Sequence, residues 1–146
     1  MFKLHPALSD FPIAFLAAAL VTDLLFWRTG AAQWAEFSFW LILAGLLSGL
    51  TAVITGLIDF LNTEKARGLP AGWFHFVLTD LAIFLTTFNL ISRLYNRQEK
   101  LLFAGLGLSA IVALLLLVAG YLGGRLVFHH RVGVERAPPE AEEEVH

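Results

Sequence analysis

Residues 39–61 read FWLILAGLLSGLTAVITGLIDFL, and this one stretch decides the class of the fold. It is an unbroken apolar run of about the ~20 residues that an α-helix needs to cross a bilayer core. Its single acid, Asp59, stands near the end. Three more stretches of the same kind lie at about 11–27, 73–94 and 101–128. The first is the shortest, but Pro6 and the residues after it extend it outward. No small-residue cleavage site behind a charged region precedes it, so a retained helix is expected rather than a removed leader. The acids inside the four spans are Asp23, Asp59 and Asp80. The expected fold is all-α: a polytopic four-helix membrane bundle, up-down-up-down, over residues 1–134.

Composition agrees. The 146 residues are 58% hydrophobic and 15% charged, against roughly 25% charged in a soluble domain. Mean hydropathy is +0.72. A net charge of −2 hides a split, because residues 1–134 sum to +2 and residues 135–146 to −4. That proline- and glutamate-rich tail buries too little apolar area to offset its ordering entropy and is expected to be mobile. The absence of cysteine excludes disulfides, thiolate metal sites and cysteine nucleophiles. No basic stripe serves nucleic-acid phosphates. Ser9, Ser48 and Ser109 lack a nucleophile-elbow context, and no His-Glu-x-x-His motif occurs, so no catalytic residues are assigned. A self-contained catalyst is therefore not expected.

Trp27, Trp34, Trp40, Trp73, Tyr95 and Tyr121 stand where the spans meet water, as an interfacial belt does. Four spans place both termini on one side, face A, with the loop 62–72. Face B receives the loops 28–38 and 95–100. Face A carries Lys3, Lys65, Arg67, Arg125, Arg131 and Arg136, and face B carries Arg28, Arg93, Arg97 and Lys100. That excess favours face A as cytoplasmic.

A hairpin recurs within the chain. His5-Pro6-Ala7-Leu8-Ser9-Asp10 reads H-x-x-L-[ST]-D, and so does His75-Phe76-Val77-Leu78-Thr79-Asp80; Ala44-Gly45-Leu46 is echoed by Ala104-Gly105-Leu106. Two hairpins in one orientation imply a pseudo-twofold axis along the membrane normal. The first and third helices are then diagonal, and His5 and His75 approach one another near face A. Pro12 leaves two starts open: a helix from Pro6 that contains the proline, or one from Phe11 capped by Asp10.

Face A gathers His5, Asp10, Asp59, His75, Asp80, Arg125, His129 and His130, whereas face B has no histidine. Ionisable groups at membrane depth are costly and mark sites or partners. His5 and His75 suit two-histidine ligation of haem iron, with His129 or His130 in reserve. Asp59 is the candidate to orient an imidazole, or pairs with Arg125, which suits a haem propionate. Asp10 and Asp80 read as first-turn acids on a helix dipole, and Asp23 as a partner for a hydroxyl such as Thr22 or Thr55. Gly45, Gly49, Ala52 and Gly56, and the segment Gly120-Tyr121-Leu122-Gly123-Gly124, serve close helix packing or the approach of a flat porphyrin.

His5-Pro6, Asp10-Phe11-Pro12-Ile13, Gly56-Leu57-Ile58-Asp59, His75, Gly120-Tyr121-Leu122-Gly123-Gly124-Arg125-Leu126-Val127 and Val132-Gly133-Val134 together resemble a bacterial family of four-helix membrane proteins catalogued as domain of unknown function 2231. The resemblance covers nearly the whole chain except the acidic tail. Many members look like HP-x-x-x-HFP at the start, and Asp10 here replaces the second histidine, which removes one possible ligand. Some relatives are joined to Rieske-type iron–sulfur domains, which implies redox traffic, and the bundle is similar to small b-type cytochromes. The leading expectation is a haem b-binding electron-transfer subunit that works with a redox protein. Its alternatives are a non-catalytic subunit packed in a larger respiratory or photosynthetic complex, and a non-haem metal protein using His5, Asp59, His75 and His129. Homo-oligomerisation stays open.

Overall fold

The computed structural model describes residues 4–130 and residue 132. The tail expected at 135–146, with Lys3, Arg131 and Arg136, lies outside the described residues. The described chain forms α1 (Leu4–Thr29), α2 (Ala32–Leu61), the short α3 (Glu64–Arg67), α4 (Pro70–Ser92), the short α5 (Arg97–Lys100) and α6 (Leu106–Gly124). Single π-helical turns, Leu101–Gly105 and Arg125–His129, flank α6. Four helices are long and apolar enough to cross a membrane. The protein is an all-α, multi-pass membrane protein.

Two boundaries differ from expectation for local reasons. The loop expected at 28–38 shrinks to Gly30-Ala31, because α2 begins at Ala32 with Ala35 and Ser38 already buried. The sharp reversal uses a positive φ of 66° at Gly30, whose N–H donates to the Phe26 carbonyl at 2.8 Å. A side chain there strains the left-handed backbone, so Gly30→Ala is expected to cost about 1 kcal/mol. Equilibrium unfolding of the detergent-solubilised variant checks this.

The second difference lies in α1, which runs from Leu4 straight through Pro12 instead of starting at Phe11. Pro12 is buried and nests against α2, where a Cβ on Gly49 would sit 3.6 Å from the Pro12 Cβ. The glycine makes room for the ring, and a membrane helix tolerates the lost hydrogen bond when a neighbour packs on the break. Asp10 and Asp80 are therefore not first-turn acids: the first turns of α1 and α4 contain none.

α1 packs on α2 and α6, and α4 packs on the same two helices, so α1 and α4 are diagonal. The core is formed by Leu16, Ala19, Ile42, Leu46, Leu90 and Val112. The outer surface is apolar in the way lipid requires, with Leu47, Ile54, Phe84 and Leu117 each more than half exposed. Trp27, Trp40, Trp73, Tyr95 and Tyr121 are exposed as well. The Trp73 indole donates to the Arg67 carbonyl at 3.0 Å, which ties α4 to the α3 connection. Gly45 lies beneath the Leu16 side chain and Gly49 beneath Ile83. Small residues thus let the helices approach closely, as the glycine stripe suggested.

Candidate functional site

Two polar clusters occupy the bundle axis, one near each face. The first is the histidine pair. His5 lies in the first turn of α1 and His75 in the second turn of α4, and both rings turn inward from diagonal helices. Their centroids are 6.1 Å apart with planes at 80°. His5 Nδ1 lies 2.8 Å from the Ala52 carbonyl oxygen of α2, and His75 Nδ1 lies 2.8 Å from the Ala119 carbonyl oxygen of α6. A carbonyl can only accept, so each Nδ1 carries the hydrogen. In the neutral ring the lone pair then belongs to Nε2.

The surroundings repeat as well. A Cβ on Gly56 would fall 2.8 Å from the His5 ring, and one on Gly123 would fall 3.2 Å from the His75 ring. Each imidazole therefore lies on a bare stretch of backbone one turn beyond its carbonyl partner. These contacts align α2 with α6 through Ala52 and Ala119, an offset of 67 residues. The echo of Ala44-Gly45-Leu46 in Ala104-Gly105-Leu106 is out of step with that alignment and does not describe the repeat. Gly120 and Gly124 meet nothing within 4 Å, so only Gly123 of that segment serves the site.

The other expected site residues stand apart from the pair. Asp59 is half-buried near the end of α2, Arg125 and His129 are exposed, and His130 is half-buried. The rings of His129 and His130 contact each other, with centroids 4.8 Å apart. Among the described residues no hydrogen bond or ion pair joins Asp59 to Arg125 or to any histidine. No group of three or more His, Asp or Glu side chains converges there either.

The second cluster lies toward face B and was only half visible in the sequence. Asp23 is bound neither by Thr22, whose hydroxyl donates to the Ala18 and Ala19 carbonyls, nor by Thr55, which donates to Thr51 and Ala52. Its partner is Arg93, the residue that caps α4. Nη1 donates to Oδ1 at 2.7 Å and Nη2 to Oδ2 at 2.8 Å. Both side chains are 0% exposed. Ser109 donates to Oδ2 at 2.6 Å, and Ser38 donates to Oδ1.

The guanidinium is saturated. Besides the carboxylate, Nε donates to Asn89 Oδ1 at 2.8 Å, Nη1 to Ser38 Oγ at 2.8 Å and Nη2 to Ser109 Oγ at 3.2 Å. All five donors are engaged, the condition under which a planar fork is best buried. Gly105 gives the fork its space, since a Cβ there would fall 2.7 Å from Nη2. This is a clamp rather than an open site, because all four long helices contribute to it and no polar group in it lacks a partner.

Arg93 therefore leaves the set of face B interfacial cations to which the sequence assigned it. Of the rest, Arg97 pairs with Glu36 and covers the Phe39 ring at 4.0 Å. One signal could have exposed the clamp: Asp23 and Arg93 are 70 residues apart, the same spacing that separates His5 from His75. Both pairs bring equivalent positions of α1 and α4 together at the pseudo-twofold axis.

Neither the curated proteins nor the solved structures contain a match to the chain. Residues 2–136, all four long helices included, match the family model described as a predicted membrane protein (DUF2231), and the chain belongs to that family.

Proposed function

We propose that the protein is a membrane-embedded electron-transfer subunit that binds haem b, and that His5 and His75 would hold its iron. The observation that carries this reading is the histidine pair itself. The ring centres lie 6.1 Å apart across the bundle axis, near enough for one iron to be shared between them. Each Nδ1 is already committed to a carbonyl, the support that fixes a metal-binding imidazole in orientation and tautomer.

A porphyrin brings four nitrogens of its own, so two histidines complete the iron's coordination. A bare ion would need further protein ligands beside His5 and His75. That difference favours haem over a non-haem metal. Gly56 and Gly123 keep the backbone beside the rings free of side chains, which gives the two imidazoles their room. Arg125, exposed in the turn that ends α6, is the candidate partner for a propionate by its charge alone, and His129 and His130 are the reserve imidazoles. Bound haem supplies one-electron chemistry; the chain's part is to hold two neutral imidazoles in place and exclude water from them. As such a subunit the protein would sit in a bacterial plasma membrane with its termini on the cytoplasmic side. It would exchange electrons with a redox protein or a larger respiratory or photosynthetic complex.

The test is an absorption spectrum of the purified protein, as isolated and after reduction. A Soret band with a sharp reduced α-band is expected, and His75→Ala is expected to abolish it. A preparation that stays colourless after expression with added haem overturns the reading.

A further inference from the structure

Asp80 faces outward from the third turn of α4. It is exposed, and so are its neighbours on the same stripe, Val77, Leu81, Phe84 and Phe88. Trp73, seven residues nearer face A, marks the interface, which puts Asp80 about 10 Å deeper at 1.5 Å per residue. Its short side chain does not reach back to water over that distance. A carboxylate turned toward hydrocarbon at this depth is strongly disfavoured unless something meets it. Among the described residues no hydrogen bond or ion pair involves Asp80.

The chain itself shows how it satisfies such a group. Asp23, the other carboxylate deep in the bundle, is met from the diagonal helix by an arginine fork. Asp80 has no equivalent among the described residues. A second copy offers none at that depth among its described residues either, for the exposed Lys and Arg there are Arg28, Lys65, Arg67, Lys100 and Arg125, all at helix ends or in connections.

We propose that the α4 face around Asp80 docks a transmembrane helix of another protein, one that carries a Lys or Arg about a third of the way into the bilayer from face A. The apolar stripe supplies the contact area and Asp80 sets depth and register. Asp10 occupies the corresponding place on α1 and is also exposed, but among the described residues around it the large exposed side chains are Phe11 and the less exposed Ile13, a smaller patch than the four around Asp80. The α4 face is therefore the docking surface. The proposal is independent of haem.

The protein has no cysteine, so a single Gln98→Cys on the face B connection takes a fluorescent donor. The full chain is reconstituted in phosphatidylcholine vesicles with an acceptor-labelled polyleucine transmembrane peptide bearing one arginine at the stated depth. An all-leucine peptide with the same lysine flanks serves as reference. The arginine peptide is expected to associate about ten-fold more tightly than the reference, the size of one or two interhelical hydrogen bonds. Asp80→Asn, a substitution of equal shape on an exposed face, is expected to remove the difference, and Asp10→Asn to leave it. Equal association of both peptides overturns the proposal, as does a preference that survives Asp80→Asn. Energy transfer between two labelled copies that Asp80→Asn abolishes would give the face to a second copy and overturn it too.

Discussion

Arg93→Met is expected to destabilise the bundle by about 3–5 kcal/mol, the usual cost of leaving one member of a buried pair uncompensated. The substitution keeps roughly the length of the side chain and removes all five donors. Asp23 would then face Ser38 and Ser109 alone, inside a site from which water is excluded. Asn89 would lose the donor to its Oδ1. The double variant Asp23→Leu, Arg93→Met is expected to recover most of the loss, because apolar replacement of both partners is often close to neutral. Titration of the purified proteins with a denaturing detergent, followed by circular dichroism, measures both variants against the parent. Equal destabilisation of the single and double variants would show that the uncompensated charge is not what the single variant reports.

The second large effect is expected at the opposite face. Gly56→Ala places a methyl 2.8 Å from the His5 ring, closer than carbon atoms approach, and the ring is held by its bond to the Ala52 carbonyl. Either that bond breaks or α1 moves away from α2. Overpacking of this kind costs about 1–3 kcal/mol. Gly123→Ala meets the His75 ring at 3.2 Å and is expected to cost less. Gly120→Ala and Gly124→Ala meet nothing within 4 Å and are expected to be close to neutral. A thermal-unfolding series in one detergent ranks the four, and an inverted order would contradict the placement of the two rings.

The fold was legible because lipid imposes a simple rule. A run such as residues 39–61 has few places to go other than across a bilayer, and four runs set the order of crossings. Boundaries were less legible. Gln33 and Glu36 look like loop residues, yet they lie in the first two turns of α2, where an interfacial helix end accepts polar side chains. Pro12 looked equally able to start a helix or to sit within one, because the glycine that accommodates it is 37 residues away in α2. The histidine pair could be anticipated from a repeated hexapeptide on helices that a bundle makes diagonal. The Asp23–Arg93 clamp offered only its 70-residue spacing, with no repeated motif to draw attention to it. A lone arginine just past a hydrophobic span is normally an interfacial cation, and only three-dimensional packing turns this one inward. Asn89, Ser38 and Ser109 were equally silent, since polar residues of that size in membrane helices usually bond their own backbone, as Thr22 and Thr86 do here.

The spacing of 70 residues that relates His5 to His75 also relates Asp23 to Arg93. At the histidine end, equivalent positions hold identical residues, and either hairpin could stand in for the other. At the charged end they hold opposites. Two copies of one hairpin joined around a true twofold axis would meet there as acid against acid or base against base, because an isologous contact sets a residue against itself. Joining both hairpins in one chain releases them from that identity. The attraction across the axis is thus available only to a fused molecule whose halves differ, and it also dictates which half pairs with which: a first hairpin repels its own kind and accepts the second.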